Sequence, residues 1–171
     1  VYWQEGTFHH TQVETPYGPT LHNVNAGVYR YEPRTQKFDA YVTFGFANPH
    51  GHVFNKWGQD IVMDGTGAVP YDGALFSGHL DYPAKHAHIP VELQVYKQRT
   101  RPCPGIEILT SKHFPPENQG NLLVANVIGF QGILQYKLKD EDASFIGTEV
   151  EPILSSTDAN FRPSDLKIGP D

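Results

Sequence analysis

A single cysteine, Cys103, stands among the 171 residues. That scarcity excludes an internal disulfide, a four-cysteine zinc site and a C-x-x-C-H haem attachment within them. Positive charge is also short: 13 Lys and Arg against 19 Asp and Glu give a formal charge of −6. With no basic run or Lys/Arg stripe, the electrostatic footprint of a nucleic-acid partner is missing. No apolar run approaches the ~18 residues that cross a bilayer, so no membrane segment is expected here. The first residues, Val1-Tyr2-Trp3-Gln4-Glu5, carry neither the charge nor the apolar stretch of a signal peptide, which places any export signal or anchor outside this segment.

What the chain has in quantity is turn-forming and ring-bearing residues: 16 Gly, 14 Pro and 12% aromatics, against 39% apolar residues in all. Such a composition favours many short strands joined by tight turns, an all-β chain. A chain of this size hides roughly 70% of its unfolded surface, enough for a substantial core. Cys103 lies in the stiff, turn-like Arg101-Pro102-Cys103-Pro104-Gly105 and reads as a structural thiol rather than a nucleophile.

The strongest internal signal is self-similarity. Three segments, Val1 to Thr7, Asp60 to Thr66 and Leu122 to Ile128, each carry an apolar run that closes on a polar residue, Glu5, Asp64 and Asn126, and these are 59 and 62 positions apart. A second series, Asn48-Pro49, Arg101-Pro102 and Arg162-Pro163, has its prolines 53 and 61 apart. Proline cannot donate to a strand ladder, so it suits the loop that delivers the chain into a strand. A third series sets Gly27-Val28-Tyr29-Arg30-Tyr31 against Gly132-Ile133-Leu134-Gln135-Tyr136, 105 residues on.

Hairpins fill the intervals. Val28 to Tyr31 turns through Glu32-Pro33-Arg34-Thr35 into Phe38 to Phe44, and Ile133 to Leu138 turns through Lys139-Asp140-Glu141-Asp142 into Phe145 to Val150. About four strands per repeat of near sixty residues is the pattern of β-propeller blades carrying loop insertions. The expectation is an all-β partial propeller of about two and a half four-stranded blades, with boundaries near 47 and 100 and a new blade beginning near 161. Such a piece belongs to a larger ring, whose remaining blades would cover its faces.

In a meander running outward from an axis, the loop entering the first strand and the loop leaving the second share one rim. The entering loops carry Asn48, His50, Arg101 and Arg162; the leaving loops begin at Glu5, Asp64 and Asn126 and bring His9 and His10. Convergent arginines, histidines and carboxylates make a polar small-molecule pocket. A rim histidine, His9 or His10, beside a carboxylate has the chemistry of a general base. Arg101, Arg162, His50, Asn126 and Asp64 are then the candidate substrate- or cofactor-binding residues.

Each has a plainer role beside it. Arg101 and Arg162 can bridge blades through carbonyl or carboxylate bonds. Asp64 before Gly65-Thr66 suits an Asx turn, and Asn126 is similar. Among nine histidines, His50/His52 and His86/His88 form His-x-His pairs; residues two apart on a strand share a face, so each pair could offer two imidazoles to a metal. No third ligand stands at a familiar spacing, so the metal content is left open. His113-Phe114-Pro115-Pro116 is expected on the opposite rim in a structural role.

Several stretches together resemble a known family: Val13 to Pro19, Asn48-Pro49-His50-Gly51-His52-Val53-Phe54, Trp57-Gly58-Gln59-Asp60, Arg101-Pro102-Cys103, His113-Phe114-Pro115, Asn126 to Gly132 and Phe161-Arg162-Pro163. They are similar to the propeller domain of large bacterial proteins named membrane-bound dehydrogenases, related to the soluble quinoprotein glucose and sorbosone dehydrogenases. The resemblance covers nearly the whole chain. It implies an extracytoplasmic propeller, periplasmic or membrane-associated, joined in the same polypeptide to other modules such as a c-type haem domain. It also implies pyrroloquinoline quinone and calcium as cofactors, the quinone taking the hydride of a sugar or related alcohol while a histidine takes the proton. The competing expectations are a non-catalytic propeller that binds glycan or protein, and a metal-dependent lyase or hydrolase built on His50 and His52.

Overall fold

The computed structural model describes residues 1–24, 26–43, 46–73 and 94–170. His86, His88 and the insertion from Tyr82 to Pro90 lie outside the described residues. Within these bounds the chain is all-β, with four antiparallel sheets, a short 3-10 turn at Pro116–Asn118 and no α-helix. It divides into two compact units, one containing Val1–Pro49 and the other His50–Asp72 and Val91–Asp171.

In the first unit, β1 (Tyr2–Glu5) is followed by β2 (His10–Val13) and β3 (Leu21–Val24), then by β4 (Gly27–Glu32) and β5 (Lys37–Val42). β1 pairs with β4 and β4 with β5, while β2 and β3 pair only with each other. The loop expected to leave β1 is therefore an inserted hairpin. Aromatic side chains tie the three-stranded sheet together: the Phe38 ring lies 5.4 Å from the Trp3 centroid and 5.4 Å from that of Tyr29. Cross-strand ring pairs of this kind add to the backbone ladder.

The second unit holds two successive meanders. β6 (Pro49–Phe54), β7 (Asp60–Asp64) and β8 (Val69–Asp72) form one, with Tyr71 also bridging Gln94. β9 (Ile106–Ile108), β10 (Leu122–Asn126), β11 (Gly132–Glu141) and β12 (Ser144–Ser155) form the other, a four-stranded sheet in spatial order β12-β11-β10-β9. Pro49 opens β6, where its missing N–H costs the ladder least.

The sequence repeat is a structural one. Glu5, Asp64 and Asn126 are the last residues of β1, β7 and β10, and each of these strands pairs antiparallel with the next strand of its sheet. Glu5 stands opposite Gly27 and Asn126 opposite Gly132, so the two glycines found 105 residues apart occupy the same register position. The second hairpin differs from expectation: its strands extend through Lys139-Asp140-Glu141, and the turn tightens to Asp142-Ala143. Asp142 takes a left-handed φ of 52°, which a short polar side chain tolerates.

Burial follows strand position. Ile61, Val62 and Met63 of β7 and Leu122, Val124 and Ala125 of β10 have no exposed surface. Runs buried residue after residue, rather than in alternation, belong to strands covered on both faces. Ile106, Leu134, Tyr136 and Phe145 join the same core, in which the Tyr96 and Tyr136 rings stack 3.9 Å apart. β12 is largely exposed or half-buried.

Two glycine contacts bring separate segments of this unit together. A Cβ on Gly51 of β6 would stand 2.8 Å from Ile106 Cγ1 of β9. A Cβ on Gly105 would stand 2.6 Å from Asp165 Oδ1 and 3.2 Å from Asp165 Cα. The opening strand of one meander thus packs on the opening strand of the next, and that one on the segment after β12.

Candidate functional site

At one end of the second unit, the residues that close β7 and β10 meet those that open β9. Asp64 ends β7 and its Oδ1 accepts the Thr66 backbone N–H at 3.2 Å, an Asx turn of the kind its sequence setting favours. The carbonyl of the next residue, Gly65, accepts the Cys103 N–H at 2.9 Å. That bond seats Arg101-Pro102-Cys103 against the β7–β8 turn. On the other side, Thr100 Oγ1 donates to Asn126 Oδ1, and Asn126 Nδ2 donates to the Val124 carbonyl at 2.8 Å.

These bonds sort the candidates. Asn126 is fully buried with both ends of its amide engaged, so its side chain holds the loop that carries Arg101 rather than reaching solvent. Asp64 is half-buried and shapes its own turn. Arg101 is exposed and makes no ion pair among the described residues. Arg162 is exposed as well, beyond a turn closed by Asp158, whose Oδ1 accepts the Asn160 N–H. His50 is exposed beside Gly51.

The glycine contacts place three of these residues at one end of adjoining segments. His50 precedes Gly51, which packs on Ile106; Arg101 and Arg162 stand a few residues before Gly105 and Asp165, which pack on each other. His50, Arg101 and Arg162 thus each lie shortly before one of these contacts, in the same unit as Asp64 and Asn126. A guanidinium group offers forked donors suited to anionic or hydroxyl-bearing ligands, and both Arg101 and Arg162 are exposed.

His9 and His10 belong to the first unit. Both are exposed, His9 just after Phe8, whose φ is 69°, and His10 at the start of β2. The expected carboxylate neighbour has other partners: Glu5 accepts from Thr11 Oγ1 and, at 2.6 Å, from Tyr29 Oη. Burial, reinforced by that bond to Glu5, holds the Tyr29 phenol well above its usual range.

The His50/His52 pair does not present two like imidazoles. Gly51 between them has φ of +126°, which breaks the extended alternation that would set both on one face. His50 is exposed, whereas the His52 side chain is only 7% exposed and its Nε2 donates to Asp60 Oδ2 at 2.8 Å. Sequence reasoning missed this hydrogen bond because Asp60 lies eight residues on, across a turn. Thr100, which braces Asn126, was missed for the same reason at 26 residues' separation.

Among the described residues, no three His, Cys, Asp or Glu side chains come together as a metal site. The calcium implied by the family resemblance thus has no side-chain cage in the described part of the chain. Cys103 is buried, its thiol 3.2 Å from the Gly105 carbonyl, and burial pushes its pKa up to about 12. It is a packing residue, as its setting indicates. No helix among the described residues is long and apolar enough to cross a membrane.

No family model, curated protein or solved structure matches the chain.

Proposed function

We propose that this chain is part of a β-propeller whose rim loops bind a sugar or related alcohol, in an oxidoreductase of the quinoprotein dehydrogenase type that its motifs resemble. The supporting observation is that the opening strand β6 packs on the opening strand β9, Gly51 on Ile106, and that the start of β9 in turn meets the segment after β12, Gly105 on Asp165, at nearly the repeat period. Inner strands of successive blades approach one another in this way around an axis, and blades close their edges by completing a ring. The bond from Cys103 to Gly65 and the contact between Thr100 and Asn126 join entering and leaving loops, which supports reading them as one rim.

In this proposal Arg101, Arg162 and His50 of the second unit orient the ligand and Asn126 and Asp64 position the loops that carry them; His9 and His10 of the first unit are the candidate bases. The quinone and the remaining blades belong to the whole polypeptide, as does an extracytoplasmic setting. The test is dye reduction by the full polypeptide supplied with pyrroloquinoline quinone and calcium, over a panel of sugars and polyols. Sugar-dependent reduction, lost in His9→Ala or His10→Ala with ligand binding retained, is the expected result. Absence of both quinone binding and turnover across the panel would overturn it.

A second proposal, a propeller that binds without turnover, is favoured by the surface around the histidines. Phe8 is 89% and Tyr17 80% exposed on either side of the β2 strand, an aromatic display suited to recognition. Under it, alanine at His9 and His10 weakens glycan or protein binding and there is no reduction to lose.

A further inference from the structure

At the opposite end of the second unit, the turn between β6 and β7 presents a tryptophan. Asn55 builds that turn: its Oδ1 accepts the N–H groups of Trp57 at 2.9 Å and Gln59 at 3.0 Å, and its Nδ2 donates to Gln59 Oε1 at 2.7 Å. Backbone bonds from Asn55 N to the Gln59 carbonyl and from Gly58 N to the Asn55 carbonyl close it, with Gly58 at φ of +81°. A loop so completely bonded has little freedom left, yet the side chain at its tip, Trp57, is 76% exposed. The Lys56 ammonium stands 5.0 Å from the Trp57 ring centroid and helps fix the indole.

Trp57 borders a cleft of about 420 Å³. Leu109 and Phe145, both buried, lie at its base, and Thr110, Gln119 and Asp140 line its polar side. Gln119 uses its amide N–H groups on the carbonyls of Ser111 and Phe114, at 2.7 and 2.9 Å, which leaves its Oε1 to accept. Asp140 and Thr110 are exposed, a carboxylate acceptor and a hydroxyl that donates or accepts. The end of β11 and the end of β9 both run to this side of the sheet, away from Asn126 and Gly132.

We infer that this cleft is a saccharide-binding subsite, with Trp57 as the stacking platform and Asp140, Thr110 and Gln119 as hydroxyl partners. A pyranose ring has one face of C–H groups that complements an electron-rich indole, and an edge of hydroxyls that both donate and accept. The polar side of the cleft matches that edge: a carboxylate, an amide oxygen and a hydroxyl line it together with a tryptophan carried on a closed turn. A cleft within the usual range of ligand pockets, roughly 300–1,000 Å³, takes one or two sugar rings. The subsite is distinct from the rim of Arg101 and Arg162 and stands whether or not that rim supports turnover.

The chain has two tryptophans, so its nitrogen–proton spectrum carries two indole signals, and Trp57→Phe identifies the second by its loss. Titrating the whole chain with maltose, cellobiose, xylobiose and mannobiose is expected to move the Trp57 signal saturably with at least one of them. Trp57→Ala is exposed and should fold; it is expected to weaken that sugar about tenfold or more, read by calorimetry, while Trp57→Phe retains much of the affinity. Asp140→Asn is expected to weaken it as well. Three outcomes overturn the proposal: no saturable movement with any of the disaccharides, affinity unchanged in both Trp57→Ala and Asp140→Asn, or binding of a Leu- and Phe-bearing peptide with no response to sugars.

Discussion

Cys103 shows how far a single side chain's surroundings can be turned into an observable. Its thiol is buried and its pKa is pushed up to about 12 from the ordinary 9.0. Below about pH 9 the group is protonated in both folded and unfolded chains and has no effect on pH dependence. Above it the unfolded chain gives up the proton and the folded chain keeps it, so stability falls as pH rises toward about 12. Tyr96 and Tyr136, both raised by burial, act in the same sense. The urea midpoint is therefore expected to drop steadily above about pH 9, and a thiol reagent at neutral pH is expected to modify Cys103 only as fast as the chain unfolds. Rapid modification of the folded chain would contradict the burial. At this scale the sequence was readable where the partner is local, as with the Asp64 turn two residues long, and unreadable where it is distant, as with Glu5 and Tyr29 or Thr100 and Asn126.

Elements pack through what their glycines omit. At Gly51 the left-handed φ and the 2.8 Å approach of Ile106 Cγ1 both oppose a side chain. Gly51→Ala is expected to cost about 2 kcal/mol or more, from backbone strain together with overpacking. Gly105→Ala meets the Asp165 backbone and should cost about 1–3 kcal/mol. Gly58 is the control: its φ is +81° but nothing lies within 4 Å, so Gly58→Ala should cost only about 1 kcal/mol. Equal losses at all three positions, measured by urea unfolding, would mean that the opening strands are not packed as described. Turn signals located most hairpins, since Gly, Pro, Asp and Asn act on their own backbone. The β2–β3 hairpin escaped because His10-Thr11-Gln12-Val13 is a polar segment with little strand character of its own; it becomes a strand by pairing with Leu21–Val24. The same local rule set the β11–β12 turn too early, since a strand continues while its partner does, through Glu141 and Ser144.

Across the whole molecule, protection should follow enclosure. β7 and β10 are buried along their length and hydrogen-bonded on both sides, whereas the β2–β3 pair is a two-stranded insertion with an exposed tip. Amide exchange is expected to be slowest in Ile61 to Met63 and Leu122 to Ala125, and faster by orders of magnitude in β2. Uniform exchange across these strands would contradict the difference in burial on which it rests.

What the sequence by itself determined is the all-β class, the period near sixty and the recurrence of Glu5, Asp64 and Asn126 at the ends of apolar strands. These follow from composition, turn chemistry and recurrence, each of which acts within a few residues or repeats identically. The register that sets Gly27 and Gly132 opposite Glu5 and Asn126 came from the fold. Tertiary structure alone decided which polar side chains face solvent. It turned Asn126 and His52 inward to Thr100 and Asp60, left Arg101 and Arg162 outside, and set Trp57 at the edge of a cleft. The reason is that a buried polar group must find a partner wherever the fold brings one, and that partner's distance along the chain is not written in the residue itself.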